Sequence, residues 1–210
     1  MFTGIVQAKA RATEVTRLPG VARLAIEAPP GFCARLLRGA SVAVDGVCLT
    51  VTEVDGHVMR FDAMAETLRA TTLGELTQGR AVNVERSATL GDEIGGHVVS
   101  GHVSGTAEIV SVATPENNRV VTFRLPPPLA RYVFSKGFVA LDGVSLTVVD
   151  ARRDAATFDV WLIPETLRAT TFGDKGVGDR VNVEIDARTQ AIVDTVEALL
   201  PDLLARAGRP

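Results

Sequence analysis

The sequence predicts an all-β molecule, two tandem β-barrels with a C-terminal α-helix, and three observations carry that prediction. The chain is written twice. Asp45-Gly46-Val47-Cys48-Leu49-Thr50-Val51 returns as Asp142-Gly143-Val144-Ser145-Leu146-Thr147-Val148, alike at six of seven positions at an offset of 97 residues. Glu66-Thr67-Leu68-Arg69-Ala70-Thr71-Thr72 returns from Glu165, and Val82-Asn83-Val84-Glu85 from Val181, both at an offset of 99 residues. A period of about a hundred residues exceeds the few tens of a solenoid repeat, so each copy is read as a domain with its own core. Each copy is also a series of short β-branched segments broken by Asp-Gly or Gly turns, and the tail alone shows helical spacing.

Residues 40–44, 47–54, 57–62 and 80–85 have strand composition, and Asp55-Gly56 between two of them is a hairpin signal. The intervening segments are too short for crossover helices, which favours a small closed barrel over a parallel sheet. Ala34-Arg35-Leu36-Leu37 and Leu129-Ala130-Arg131-Tyr132-Val133-Phe134 read as short helices, and Glu66-Thr67-Leu68-Arg69 as the start of a helical turn. The junction falls in Gly91-Asp92-Glu93-Ile94-Gly95-Gly96, which gives domains of 1–97 and 98–188 and a tail of 189–210. In the tail Ile192, Val193, Val196, Leu199, Leu200, Leu203 and Leu204 form one apolar stripe. The stripe either packs on its own barrel or meets copies of itself, with self-association favoured because no partner helix exists in the chain. Pro201 is expected to break or kink the helix near Leu200, leaving one helix or two pieces.

Composition excludes several classes. At 210 residues, 46% hydrophobic and 22% charged with net charge -3, the chain suits two small soluble domains. Five per cent aromatics and no basic stripe argue against nucleic acid. Gln7 and Lys9 interrupt the N-terminal apolar run and no later run could span a bilayer, so no membrane partner and a cytoplasmic location are expected. Cys33 and Cys48, with His57, His97 and His102, are too few for a disulfide framework or a zinc cage, so no metal is expected.

Where the copies differ, the two pockets should differ. Cys48 aligns with Ser145, Ser41 with Phe138, Gly39 with Lys136, Ile5 with His102 and Ser87 with Asp186. The second copy gains the ionisable groups that a barrel needs to activate a ligand its twin only holds. Each residue also has a plain reading: His102 as a core histidine, Lys136 as a solvated turn residue, Asp186 as a cap before the tail helix. Gly95-Gly96-His97-Val98-Val99-Ser100-Gly101-His102 lacks the strand-to-helix setting of a phosphate loop, and a metal pair of His97 with His102 is disfavoured by their spacing. Cys33 reads as packing and Cys48 as a ligand contact. Trp161 either floors a pocket or fills core.

Met1-Phe2-Thr3-Gly4-Ile5-Val6-Gln7, the Gly-Val-Cys-Leu-Thr-Val and Gly-Val-Ser-Leu-Thr-Val pair, Asp92 to His97 with Ser100-Gly101-His102, and Ile163-Pro164-Glu165-Thr166-Leu167 closely resemble the riboflavin synthase alpha-chain family over nearly the whole sequence. The resemblance implies two six-stranded Greek-key barrels and a C-terminal helix through which three chains associate. It implies a transferase without cofactor that dismutates two molecules of 6,7-dimethyl-8-ribityllumazine, and association with lumazine synthase. By motif, Gly4, Ile5, Val6, Cys48, Leu49, Thr50, Asp62, Ala63, Met64, Ala65, Glu66 and Thr67 would line the first site. Gly101, His102, Val103, Lys136, Ser145, Leu146, Thr147, Trp161, Leu162, Ile163, Pro164, Glu165 and Thr166 would line the second. Ser145 and His102 are the expected proton handlers, Asp186 an orienting group, and Cys48 with Ser41 the facing groups; Phe2 either covers the stacked rings or is core. A lumazine- or flavin-binding protein that transfers nothing is the alternative. The enzyme is preferred because the second copy keeps Ser145-Leu146-Thr147 and carries His102, Lys136 and Asp186.

Overall fold

The computed structural model describes residues 1–115 and 118–207. Each half of the chain closes into an antiparallel barrel, as the repeat predicted, and with the six strands that the family resemblance implies. The first comprises β1 (Ala8–Leu18), β2 (Val21–Glu27), β3 (Ser41–Val44), β4 (Val47–Asp55), β5 (Val58–Met64) and β6 (Ala81–Arg86), in the order β1-β2-β5-β4-β3-β6. The second comprises β7 (Gly105–Ala113), β8 (Arg119–Arg124), β9 (Phe138–Leu141), β10 (Val144–Arg152), β11 (Thr157–Leu162) and β12 (Arg180–Ile185), with the same cyclic order. The pairings of β2 with β5 and β3 with β6 are the Greek-key crossings. Equivalent bulges fall after Ala12 and Ile109, and after Val51 and Val148, where an extra residue adds the bend a small barrel needs.

Alternation decides which side chains reach ligand. On β4 Val47, Leu49 and Val51 enter the core while Cys48 and Thr50 point outward; on β10 Val144, Leu146 and Val148 enter while Ser145 and Thr147 point outward. Short helices α1 (Ala65–Ala70) and α3 (Pro164–Ala169) follow β5 and β11 at equivalent places. Thr71 and Thr170 then cap the next 3₁₀ turns by accepting from Leu73 and Phe172 N–H.

The structure departs from the sequence reading in three places. The strand grammar pointed to four strands per half and did not show β1 and β2, whose alanines and arginines mask an alternation set by tertiary burial. Ala34-Arg35-Leu36-Leu37 is a turn rather than a helix, with Arg35 at φ 59° and Leu36 N–H bonded to Cys33 C=O three residues back. Of the segment from Leu129, only α2 (Pro127–Ala130) is helical, and Tyr132 and Val133 continue it as tight i to i−3 turns.

The tail is one helix, α4 (Ala187–Ala207), with Pro201 inside it. Asp186 Oδ1 accepts from Thr189 N–H (2.7 Å) and hydroxyl (2.8 Å), so the cap reading of Asp186 holds. Val193 packs on the second barrel, Tyr132 hydroxyl donates to Asp194 (2.6 Å), and Arg131 pairs with Glu197 (2.8 Å). Ile192, Val196, Leu199, Leu200, Leu203 and Leu204 remain exposed. Pro201 cannot donate to the C=O of residue 197, so Pro201→Ala should stabilise the local helix by up to about 3 kcal/mol. Far-UV circular dichroism and a thermal melt test this; unchanged helicity would show that the last turns are held by other contacts. Among the described residues no helix is long and apolar enough to cross a membrane.

The barrels meet along a pseudo-twofold joint built from the repeated Asp-Gly turns. Asn83 side-chain amide donates to Asp142 C=O (3.0 Å), and Asn182 returns the bond to Asp45 C=O (2.8 Å). Their amide oxygens accept from Thr171 and Thr72 N–H, both at 2.8 Å. Asp45 and Asp142 are buried side by side, with Lys175 Nζ 3.0 Å from Asp142 Oδ2. Burial first, and the charge of Asp142 second, hold Asp45 well above the ordinary carboxylate range; Lys175 opposes both. Phe2, Val99, Ala43 and Ala140 fill the joint's apolar core, which resolves Phe2 as a packing residue.

Candidate functional site

Two segments without regular strand structure, the N-terminal strap around Gly4 and its counterpart around Gly101, cross between the barrels. Gly4 C=O accepts from Ser145 N–H in the second barrel (2.8 Å), and Gly101 C=O accepts from Cys48 N–H in the first (2.9 Å). Val6 packs against the second barrel's core and Val103 against the first. The grouping expected from sequence is therefore corrected: Gly4, Ile5 and Val6 belong with Ser145, and Gly101, His102 and Val103 with Cys48. The straps cross because the bridge between Phe2 and Val99 carries each past the pseudo-axis. Both glycines need φ near +80° and have no room for a methyl: a Cβ would lie 2.6 Å from Ser145 Cβ at Gly4 and 2.5 Å from Cys48 Cβ at Gly101.

On the first barrel, half-buried Cys48 and exposed Thr50 share the outer wall with Ser41, which pairs with Thr50 in register. Asp62 and Met64 continue that wall along β5 into Ala65, Glu66 and Thr67 of α1, while a recess of about 620 Å³ extends past Asp62 toward Arg38 and Thr52. Leu49 and Ala63 face the core, so they can offer a ligand only backbone. On the second barrel Ser145, Thr147 and Trp161 face outward, and Ile163, Pro164, Glu165 and Thr166 follow at the start of α3. Leu146 and Leu162 are core. Trp161 is 50% exposed, which settles its open reading toward the surface.

The chemistry concentrates at Ser145, but with a different histidine from the one expected. His97 Nδ1 lies 2.7 Å from Ser145 Oγ, and its ring stacks on Phe138 at 5.1 Å between centroids. His102 is exposed, on the strap beside Cys48, and is not brought to Ser145. Burial lowers the His97 pKa below the usual imidazole value, with the Asp186 charge opposing, so the ring is neutral near pH 7. A neutral imidazole with the proton on Nε2 presents the Nδ1 lone pair to the Ser145 hydroxyl. Gly96 allows this approach, since a Cβ there would lie 2.6 Å from Ser145 Cβ and 2.4 Å from Thr3 C=O. Ile94, Gly96, His97, Val98, Phe138, Asp186, Ala187 and Arg188 enclose a recess of about 490 Å³ beside the pair.

Sequence comparison missed His97 because the position 97 residues earlier would precede Met1, so the first copy holds no counterpart to contrast with it. Lys136 is an exposed turn residue at φ 69°, matching Gly39 at φ 88°; each donates its N–H to the equivalent strand, at Val148 and Val51. Cys33 is buried, as read from sequence, with its thiol 3.5 Å from His57 C=O.

Known proteins resemble this chain in sequence and in fold. The lumazine binding domain family matches twice, at residues 3–87 and 100–186. The chain is 50% identical to the riboflavin synthase of Escherichia coli (strain K12) over 201 residues, covering 95% of this chain and 93% of that protein. It is 47% identical to the riboflavin synthase of Chlamydia pneumoniae over 95% of this chain and 97% of that one. The solved structure of LumP complexed with 6,7-dimethyl-8-(1'-D-ribityl) lumazine superposes with a TM-score of 0.80 at 25% identity, covering 89% of this chain and 99% of that one. LumP complexed with riboflavin gives 0.82 at 26% identity, covering 89% of this chain and 100% of that one.

Proposed function

This chain belongs to the riboflavin synthase family of tandem lumazine binding domains, and from that membership we propose how its crossed pockets convert two molecules of 6,7-dimethyl-8-ribityllumazine into riboflavin and 5-amino-6-ribitylamino-uracil. The enzyme is a transferase: one lumazine gives a four-carbon unit to the other. The observation that carries the residue assignment is the 2.7 Å approach of neutral His97 to Ser145.

A lumazine on the second barrel would lie along Ser145, Thr147 and Trp161 with Gly4 and Ile5 as the opposing edge. Its ring methyl gives up a proton through the Ser145 and His97 pair, and the carbanion left behind adds to the second lumazine, held at Cys48, Ser41, Thr50, Asp62 and His102 on the first barrel. The second methyl of the first lumazine then closes the new ring by a second C–C bond as the two C–N bonds that hold the four-carbon unit break. The four protons lost by the two methyls end on the nitrogens of the departing diamine, so the steps need no net proton, water or electron. Backbone amides of the helix starts at Glu66 and Glu165 suit the carbonyls and ring nitrogens of the ligand edge. Holding two rings face to face supplies part of the roughly 7–11 kcal/mol available from orientation alone.

In this reading the two rings come from different protomers of a homotrimer assembled through segment 189–210, and the exposed apolar stripe of α4 supports that assembly. The enzyme works in the cytoplasm, and association with lumazine synthase would deliver its substrate. Incubating the purified chain with the lumazine alone should yield one riboflavin per two lumazines consumed, followed by absorbance. Tight lumazine binding with no flavin formed would instead support a carrier of the kind that the LumP likeness favours.

A further inference from the structure

Both straps are tied down by carboxylates that face no ligand position. Glu85 on β6 is buried and accepts from Thr3 N–H (2.6 Å), Thr3 hydroxyl (2.8 Å) and Gly4 N–H (3.1 Å). Glu184 on β12 repeats the set with Ser100 N–H (2.6 Å), Ser100 hydroxyl (2.8 Å) and Gly101 N–H (2.8 Å). A buried carboxylate is costly unless donors saturate it, so three donors on each define one strap position rather than a range of them. The residue each carboxylate fixes is also the one that touches the opposite barrel. Gly4 meets Ser145 through a 2.8 Å hydrogen bond, and Gly101 meets Cys48 through one of 2.9 Å. At both contacts a methyl group would overlap the neighbour, so a strap displacement of a few tenths of an ångström is passed on to the outward residue.

We propose that Glu85 and Glu184 are positioning residues that act across the joint: Glu85, in the first barrel, sets the Ser145 pocket of the second, and Glu184, in the second, sets the Cys48 pocket of the first. Each barrel thereby builds a wall of its twin's site, and neither pocket is complete in an isolated half. Burial raises the Glu85 pKa, and the hydrogen bonds from Thr3 and Gly4 oppose that rise. The activity arm of this inference rests on the function proposed above; the structural arm does not.

The test compares Glu85→Gln with Glu184→Gln by amide hydrogen exchange and by turnover. A glutamine turns one acceptor oxygen into a donor that faces a backbone N–H, so the strap must shift. Glu85→Gln should speed exchange at Gly4 and Ser145 while leaving Gly101 and Cys48 unchanged, and Glu184→Gln should do the reverse. Each should lower kcat by about 10²-fold, the scale of an ångström of misplacement, with a smaller change in KM. Thr3→Ser keeps the hydroxyl that Ser100 already supplies in the second strap and should retain activity, whereas Thr3→Ala should show the Glu85→Gln pattern at lower amplitude. That pair keeps the test available if the glutamine chain does not fold. Equal acceleration at both straps, or lost turnover with unchanged Ser145 exchange, would overturn the crossed assignment. A parent chain that forms no riboflavin would remove the proposed function and leave the exchange experiment to decide this inference.

Discussion

A His97→Ala chain forms riboflavin about 10²- to 10³-fold more slowly than its parent, within the range that general base catalysis supplies, while the fold survives. The loss is expected in kcat because the imidazole contacts Ser145 Oγ at 2.7 Å and lies on a linker segment outside both barrel cores. Ser145→Ala should cost a similar factor. The double variant should cost little more than either single one, because two groups that act as one relay are not additive. The pH profile gives an independent check. Burial lowers the His97 pKa from 6.5, so the base form persists at neutral pH and the rate falls as pH drops through that lowered value. The folded chain also binds this proton less tightly than the unfolded chain, so the same drop in pH below about 6.5 reduces stability. His97→Gln should flatten the limb, whereas His102→Gln should leave its position unchanged. If His102→Gln moves the limb and His97→Ala does not, the proton handler sits on the Cys48 side and the relay is wrongly assigned.

The repeat carried most of the architecture into the sequence, because a barrel's turns need Asp-Gly at fixed places and its walls need alternation. Cys48, Thr50, Ser145 and Thr147 came with the family motif, which also carried core-facing Leu49 and Leu146; the burial alternation of the folded strands is what separates the two sets. The crossing of the straps was not legible, since nothing local to Gly4 or Gly101 tells which barrel it will cover; the bond from Ser145 to Gly4 spans the rest of the first domain and about half of the second. Contrasting the two copies highlights a residue only where both copies have one, so it raised His102 and passed over His97. Glu85 and Glu184 are alike in both copies, so contrast between the copies does not mark them, and only their three donors apiece reveal what they hold. Pro201 was read through local propensity, which a long helix anchored by Val193, Asp194 and Glu197 overrides.

Gly46→Ala should be strongly destabilising, costing about 4 kcal/mol and lowering the melting temperature by roughly 8–16 °C. Two penalties combine there. Gly46 has φ +78°, where an L side chain adds strain of about 1–2 kcal/mol. Its Cβ would also stand 2.5 Å from Gly143 N and 3.0 Å from Gly143 Cα, both backbone atoms that no rotamer change can move. Relief requires the barrels to part, which stretches the reciprocal bonds of Asn83 and Asn182 and disturbs the buried Asp45, Asp142 and Lys175 group. Cys48 and Ser145 follow two residues after the touching glycines, so turnover should fall even in the fraction that remains folded. Gly56→Ala separates the two penalties, because Gly56 has φ +58° in open space and should show the strain alone. Equal melting shifts for the two variants would mean that the joint yields to a methyl group, and that the barrels are held apart loosely enough for their pockets to move independently.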